Sequence, residues 1–271
     1  MPFQTIILFS TLTAIVLFAG WALGGSIGLI GALIFALLIN GFSYWFSDSL
    51  VLRMYGAKPF HDRRVVSIAE RLARDAKIPT PKLYIVESSQ PNAFATGRDP
   101  SHSAIAMTRG ILALEDDELE AVLAHETAHI AHRDILVSSI AAVLAGAVSF
   151  LAQMAYFSFF GRQRENANII GIVLVVIFAP LAALIVRLAI SRSREFKADM
   201  GGALLTKRPE SLISALRKIS GAVSHNPMGG NAATSHMWIV NPFRGNWFVS
   251  LFATHPPLEA RIEHLEELKV H

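Results

Sequence analysis

Long apolar stretches are the feature that most restricts how this chain can fold. Four of them come close to or exceed the roughly 20 residues that an α-helix needs to cross a bilayer. They run from Thr5 to Leu23, Ile27 to Phe46, Ile135 to Phe160 and Ile169 to Ile190. The chain is 52% hydrophobic and 17% charged, against about 25% charged in ordinary soluble domains. The sequence therefore predicts a mainly α membrane protein with four transmembrane helices.

The spacing of these runs predicts two helical hairpins. Only residues 24–26 separate the first two runs, and loop 161–168 separates the last two. Clusters of basic residues usually face the cytoplasm, and such clusters follow the second and the fourth run: Arg53, Lys58, Arg63 and Arg64, then Arg192, Arg194 and Lys197. Two arginines within loop 161–168 oppose this orientation, because they would lie on the outer side.

The same runs allow two alternatives. The first run could be a cleaved signal peptide, but residues 1–5 carry no Lys or Arg, and a second apolar run follows at once. The third and fourth runs could be buried helices of a soluble protein, but both are long and nearly uncharged. The sequence therefore favours a multi-pass protein in contact with the lipid bilayer.

Composition narrows the possible cofactors and partners. The chain has no cysteine, which excludes disulfides and thiolate metal sites, so any metal must be held by His, Asp or Glu. The net charge is only +3, and the chain has no polybasic arm. We therefore expect no nucleic-acid partner.

Residues 125–129, HETAH, form an H-E-x-x-H pattern in a segment that is predicted to be helical. His125 and His129 then share one helix face, so their imidazoles can converge on one Zn²⁺. Glu126 lies beside that face and can take a proton from a water molecule that the metal has acidified. His132 lies roughly 10 Å along the axis from His125, too far to bind the same ion.

A third metal ligand must come from elsewhere in the chain. The best candidate is Glu195, and Asp199 follows it by one helical turn, where it could fix the tautomer of a ligating histidine. The alternative is a solvated charged helix in which Arg194 and Lys197 pair with these acids. Spacing alone leaves both interpretations open.

Two segments further along could complete an active site. His255, in THPPLEARI, is the first candidate for stabilising a tetrahedral oxyanion, with Arg261 as a possible orienting group. Alternatively, Pro256 and Pro257 only start the last helix. The stretch 224–246 is rich in Gly, Asn and Pro and is predicted to be a mobile lid, whose two histidines, His225 and His236, could approach the metal.

The segments HETAHI, SRSREFKAD, PNAFATGRDPSHSAIAMTRGIL and THPPLEARI resemble those of the HtpX-type membrane zinc endopeptidases. These belong to the gluzincin group and are related to the CAAX prenyl protease and the Oma-type proteases. The resemblance covers nearly the whole chain. It implies one Zn²⁺ per chain held by His125, His129 and Glu195. It also implies that Glu126 is the catalytic base and that Asp199 is the hydrogen-bond partner of a ligating histidine. It also implies an active site that faces the cytoplasm.

The region between the second and third runs is predicted to be a small antiparallel or mixed sheet. Alternation and β-branched residues place strands near Lys82–Val86, Ala93–Thr96 and Ala104–Thr108. Zinc proteases commonly hold substrate as an added strand at a sheet edge. The resemblance makes Asn92, Ala93 and Phe94 candidates for binding the substrate backbone; the alternative is an ordinary hairpin with a turn at Pro91–Asn92.

The ligand positions predict the domain organisation. His129 precedes the third run and Glu195 follows the fourth, so both runs must form one hairpin if both residues bind the same ion. We expect transmembrane hairpins at 1–50 and 135–190, with an α+β zincin-like catalytic domain built from 51–134 and 191–271. A continuous helix from His129 into the third run would place the zinc about 9 Å from the membrane-embedded segment.

The predicted function is that of a zinc metalloendopeptidase in the cell inner membrane, cleaving cytoplasmic regions of membrane proteins. The resemblance implies a role in membrane-protein quality control and stress response. One alternative is a non-catalytic membrane scaffold with a structural metal, in which Glu126 would have no role. Another is an intramembrane protease, which the charges of Glu118, Glu120 and Arg133 beside the motif disfavour. Action on prenylated peptides is a third, disfavoured by the short chain.

Overall fold

The structure, a computed structural model, describes residues 3–143, 192–225, 227–228, 232–243 and 255–268. Within them lie helices α1 (Phe3–Met54), α2 (Arg63–Asp75), α3 (Asp116–Ala131), α4 (135–143), α5 (Arg192–Thr206), α6 (Pro209–His225) and α7 (Leu258–Glu267). Short 3₁₀ turns span Arg109–Ala113 and Ala232–Met237. Most of the third and fourth apolar runs, at 144–191, lies outside the described residues, and so does the predicted hairpin that they form.

Helix α1 is a hairpin of two arms. Its backbone leaves the helical conformation at Gly24 and Gly25, and Gly25 has a φ of 56°, which glycine adopts without a steric penalty. The side chain of Asn40 donates a hydrogen bond to the Thr13 hydroxyl at 2.9 Å, so the arms lie side by side. By length and composition, Gly24–Met54 is the one helix in the described part that could cross a membrane.

The four strands form a mixed sheet in the order β1 (Lys58–Pro59), β2 (Lys82–Val86), β4 (His102–Thr108), β3 (Ala93–Asp99). β2 and β4 are parallel, and the two outer pairs are antiparallel. The predicted bounds of β2 agree with the structure, whereas β3 and β4 are longer than predicted. β3 continues because Gly97, with a φ of 146°, accommodates a register shift in its pairing with β4.

Helix α3 lies at the centre of the soluble lobe, which is the part of the protein formed by the sheet and helices α2, α3 and α5–α7. α2 begins at the N-cap Asp62 and α3 at a capping box between Glu115 and Glu118, so the sequence satisfies the free N–H groups at both helix starts. Eleven of the sixteen residues of α3 are buried, and a helix buried on all sides lies inside a core. His125, Glu126 and Thr127 are among its buried residues. The helix packs against the sheet, α2, α5 and α6.

The link between α3 and α4 differs from the prediction of one continuous helix. Arg133 adopts a φ of 61°, its N–H bonds the Ile130 carbonyl at 3.0 Å, and the N–H of Asp134 bonds the His129 carbonyl at 3.0 Å. These two bonds define a Schellman motif, which ends a helix. The expectation of a straight helical path from the HETAH motif into the third apolar run is therefore wrong.

Candidate metal centre

Two helices bring the predicted ligands together. α3 carries His125 and His129 one turn apart, and Glu195 lies in the first turn of α5, which packs against α3. The Nε2 atoms of the two histidines are 3.1 Å apart. A Glu195 oxygen lies 3.5 Å from Nε2 of His129, and the other lies 4.0 Å from Nε2 of His125. Glu195 is therefore buried beside the motif rather than on a solvated face.

This cluster fits a divalent metal. Ligands about 2.0–2.1 Å from a tetrahedral zinc stand roughly 3.3 Å from one another, close to the separations here. Oε2 of Glu195 is buried and makes no regular hydrogen bond in the described part of the chain, although Nδ1 of His255 lies 3.1 Å from it, so a bound ion would satisfy it. In and around the site the carboxyl groups outnumber the guanidinium groups, and His129 is positioned to carry a further positive charge: Glu126, Asp134, Glu195 and Asp199 against Arg194 and Arg261.

The two histidines have different electrostatic surroundings. Burial lowers the pKa of His125 to about 4, so its ring is neutral at pH 7, as a metal ligand must be. Burial also acts to lower the pKa of His129, but the contact with Asp134 and the charge of Glu195 outweigh it and raise that pKa to about 9. The surroundings of His129 therefore stabilise a positive charge, whether it is a proton on the ring or a metal ion bound to it.

Glu126 lies in the same cavity and is buried. Burial raises the pKa of Glu126 to about 7, and the charge of Glu195 adds to this effect. The backbone of Ala95 in β3 hydrogen-bonds the Glu126 carboxylate, and both residues line the cavity with His125 and His129. A carboxyl group with a pKa near neutrality can both accept and release a proton at physiological pH.

Asp199 lies behind His125. One carboxylate oxygen is 2.9 Å from Nδ1 of His125, which directs Nε2 toward Glu195. Arg261 donates two hydrogen bonds to Asp199, at 2.6 and 2.8 Å. Burial acts to raise the pKa of Asp199, but the charge of Arg261 and the bond to His125 hold it at about 2. Asp199 is therefore ionised and fixed in orientation.

His255 also borders the cavity, with Nδ1 3.1 Å from the Glu195 carboxylate. Arg261 is the predicted orienting group for His255. Within the described residues its hydrogen bonds go to Asp199 and to the Ile239 carbonyl, the latter at 2.7 Å. Nε2 of His255 is buried without a hydrogen-bond partner in the described part of the chain. This nitrogen is free to meet a group that enters the cavity.

The predicted lid lies partly within the described residues, at 232–243, and we name this segment the strap. It runs along β3: the Ile239 N–H donates to the Ala93 carbonyl at 3.0 Å, and the Asn92 amide donates to the Val240 carbonyl at 2.7 Å. Phe94 packs edge-on against Trp238 with ring centroids 4.7 Å apart. The three predicted substrate-binding residues, Asn92, Ala93 and Phe94, are thus buried against the strap.

The remaining histidines occupy different places. His236 in the strap lines the cavity and lies 3.2 Å from the Ser138 carbonyl. His225 is exposed at the end of α6, where it bonds the Gly221 carbonyl. His132 caps α3 and lies beside Gly201 of α5. Of these three, the structure brings only His236 to the cavity.

Sequence reasoning missed two features of the site. Asp134 contacts Nδ1 of His129 at 3.3 Å and Arg194 at 3.3 Å, whereas the alternative interpretation paired Arg194 with Glu195 and Asp199 on a solvated helix. Gly202 lets α5 approach the backbone of His125. The adjacent Gly201–Gly202 pair inside a predicted helix was a usable signal, because glycine in a helix is costly without a packing reason.

Comparisons with known proteins agree with this site. Residues 59–269 match the profile of peptidase family M48. Proteins named Protease HtpX homolog are similar over nearly their whole length: that of Syntrophotalea carbinolica is 48% identical over 98% of both chains. That of Pyrococcus furiosus is 48% identical, with 98% of this chain and 95% of the relative covered; for Salinibacter ruber the identity is 47%, with 98% and 97% covered.

A solved structure has a similar fold. The crystal structure of S. mikatae Ste24p superposes with a TM-score of 0.51 at 16% sequence identity. The match covers 97% of this chain but only 65% of the Ste24p chain. At this identity the likeness concerns the fold alone.

Proposed function

The chain belongs to peptidase family M48, and from that premise we propose that it is a membrane-integral, zinc-dependent endopeptidase. The observation that carries the proposal is the convergence of His125, His129 and Glu195 within 4.8 Å of one another, with Glu126 in the same cavity. A cluster that only stabilised the fold would have no use for a buried carboxyl group with a raised pKa beside the ligands.

The chemistry divides between the ion and the side chains. Bound at His125, His129 and Glu195, zinc supplies a Lewis acid that lowers the pKa of water and polarises a carbonyl. Glu126 accepts the proton of the attacking water and passes it to the leaving nitrogen of the peptide bond, a role that matches its pKa of about 7. His255, through its unpaired Nε2, donates to the developing oxyanion.

We assign substrate binding to the edge strand β3. It is the outermost strand on one side of the sheet, and Ala95 in its middle borders the cavity. An extended peptide can add to such an edge through main-chain hydrogen bonds. In this structure Ile239 and Val240 of the strap occupy that edge at Ala93 and Asn92, so the strap must move before a substrate reaches these two residues.

We place the enzyme in the bilayer through its apolar helices. In the most apolar 18-residue stretch of Gly24–Met54 only 6% is buried inside the protein, and an exposed apolar surface of this size suits contact with lipid. Exposed aromatic residues such as Trp45 suit the membrane interface, and the Arg98 guanidinium lies 4.7 Å from the Trp45 ring centre. Because Arg98 belongs to β3, this contact would place β3 near the membrane surface.

The remaining features of the proposal follow from the sequence. We propose a second membrane hairpin at 135–190, an active site on the cytoplasmic side of the inner membrane, and cleavage of cytoplasmic regions of membrane proteins. Misfolded membrane proteins suit such a site, because they expose chain segments at the membrane surface. This gives the enzyme a place in membrane-protein quality control and stress response.

The test compares Glu126→Gln with Glu120→Gln in the full chain, reconstituted in vesicles with a membrane-protein substrate. Glu120 lies on the same helix, paired with Arg71 at 2.8 Å on the surface, so its variant is a matched control. We expect both variants to bind one zinc and only Glu126→Gln to slow cleavage, by about 10²–10⁴-fold. Cleavage by Glu126→Gln at the wild-type rate would contradict the assigned base.

The two rival functions predict other results in this assay. A scaffold with a structural metal gives no cleavage with wild-type protein or with either variant. An intramembrane protease gives products whose new termini lie within the substrate's transmembrane segment. We expect new termini in the substrate's cytoplasmic regions, which mass spectrometry of the products identifies.

A further inference from the structure

A chain of polar contacts leads away from the metal centre on the side of His129. Nδ1 of His129 lies 3.3 Å from one carboxylate oxygen of Asp134, and Nε of Arg194 lies 3.3 Å from the other. The three side chains are between 11% and 15% exposed. This arrangement repeats, at the second histidine, the pattern of His125, Asp199 and Arg261.

The backbone explains why Asp134 reaches His129. In the Schellman motif that ends α3, the N–H of Asp134 bonds the carbonyl of His129, which places the two residues side by side although they are five apart in sequence. The carbonyl of Asp134 also accepts the Ser138 N–H at 3.3 Å, the first bond of α4. Asp134 is therefore fixed by its main chain on both sides.

Asp134 and Arg194 stand at opposite ends of segment 135–191 in the sequence. After Asp134 the chain forms α4, and the described chain resumes at α5, which begins at Arg192 and carries Glu195 next to Arg194. The Asp134–Arg194 pair thus joins the two ends of segment 135–191, and each partner adjoins a residue of the metal cluster. A separation of these ends would pull His129 and Glu195 apart.

We propose that Asp134 is a positioning residue for His129, and that Arg194 acts through Asp134. The carboxylate accepts the Nδ1 proton and thereby fixes the tautomer that presents Nε2 to the metal. Such a partner typically contributes 10–100-fold to metal affinity. The inference rests on the proposed function, since it concerns the same metal centre.

The test measures zinc affinity of the full-length protein by competition with a chelator. Asp134→Ser keeps a residue that is equally good at a helix start but removes the carboxylate that accepts the His129 proton. We therefore expect 10–100-fold weaker zinc binding with little change in the melting temperature of the metal-free protein. Arg194→Gln is expected to weaken zinc binding several-fold. The control is Arg192→Gln, an exposed position on the same helix, which should bind like wild type.

A double variant tests whether Arg194 acts through Asp134 or whether each substitution only loosens the structure. If Arg194 acts through Asp134, adding Arg194→Gln to Asp134→Ser produces no further loss of zinc affinity, because the pair no longer exists. Zinc affinity of Asp134→Ser within twofold of wild type would overturn the inference, and so would two losses that multiply. Wild type that neither binds zinc nor cleaves would instead contradict the proposed function.

Discussion

Gly202 of α5 faces the backbone of His125 so closely that a Cβ atom placed on it would stand 2.9 Å from the His125 nitrogen. No ordinary Cβ contact is this short, and a backbone atom cannot move aside alone. The missing side chain is therefore what lets the helix of Glu195 approach the helix of the two histidines. The distance between the ligands depends on this glycine.

Gly202→Ala should separate the two helices. We expect zinc binding to weaken at least tenfold and the free energy of unfolding to fall by about 1–3 kcal/mol, the usual cost of overpacking. Gly221→Ala in α6 is the control, because that position has open space around it and should gain about 0.5–1 kcal/mol. Unchanged zinc affinity in Gly202→Ala would mean that the helix spacing does not set the site.

Arg261→Met tests the buried support behind His125. The variant keeps most of the side-chain volume but leaves the buried Asp199 carboxylate without its cation. We expect a loss of about 3–5 kcal/mol, as when one partner of a buried ion pair is removed, measured by denaturant titration of the metal-free protein. Arg217→Met, which breaks an exposed pair with Glu266 at 3.8 Å, should cost about 0–1 kcal/mol. Equal effects would contradict this role of Arg261.

Glu118 gives a prediction about acid stability. Burial acts to raise its pKa, but Lys218, Ser214 and the Glu115 N–H outweigh burial and lower the pKa below its ordinary value. A lowered folded-state pKa means that the contribution of Glu118 is complete above the unfolded value, about pH 4.3, and is lost as the pH falls through the folded value.

The measurement compares wild type and Glu118→Gln without metal. We expect the variant to be less stable by about 1–3 kcal/mol at pH 7, and the gap between the two proteins to shrink as the pH falls below about 4. A gap that stays constant down to pH 3 would show that the charge of Glu118 does not stabilise the fold.

Trp238 is the main apolar anchor of the strap. Its ring is buried, packs edge-on against Phe94 and Tyr55, and donates a hydrogen bond to the Tyr55 hydroxyl at 3.1 Å. Trp238→Ala should cost about 3–5 kcal/mol, as for other buried aromatic residues, whereas Trp238→Phe should lose much less. A melting curve of Trp238→Ala that matches wild type would mean that the strap does not stabilise the lobe.

Local patterns in the sequence predicted the elements around the site well. Alternation placed β2, and the strand starts near Ala93 and Ala104 lie within two residues of those observed. The HETAH spacing placed two histidines on one helix face, because helical periodicity depends only on neighbouring residues. Glu195 is different: its spacing left a solvated helix equally open, and only the resemblance to a family favoured it as a ligand.

Contacts that depend on tertiary packing could not be predicted in this way. The Asp134–Arg194 pair joins residues 60 positions apart through a helix end that has Arg133, not glycine, in the left-handed conformation. Residues 131–134 contain no glycine to mark that helix end, so local patterns favour a continuous helix. The packing of the strap could not be predicted either, because Trp238 is buried against Phe94 and Tyr55, which come from distant parts of the chain.

Zinc content tests the central claim most directly. It should be measured in wild type, Glu195→Ala and Lys197→Ala, the last an exposed position on the same helix, by elemental analysis of full-length protein after dialysis against a weak chelator. If His125, His129 and Glu195 hold one ion, wild type and Lys197→Ala retain one zinc per chain and Glu195→Ala retains almost none. A full complement of zinc in Glu195→Ala would contradict the account.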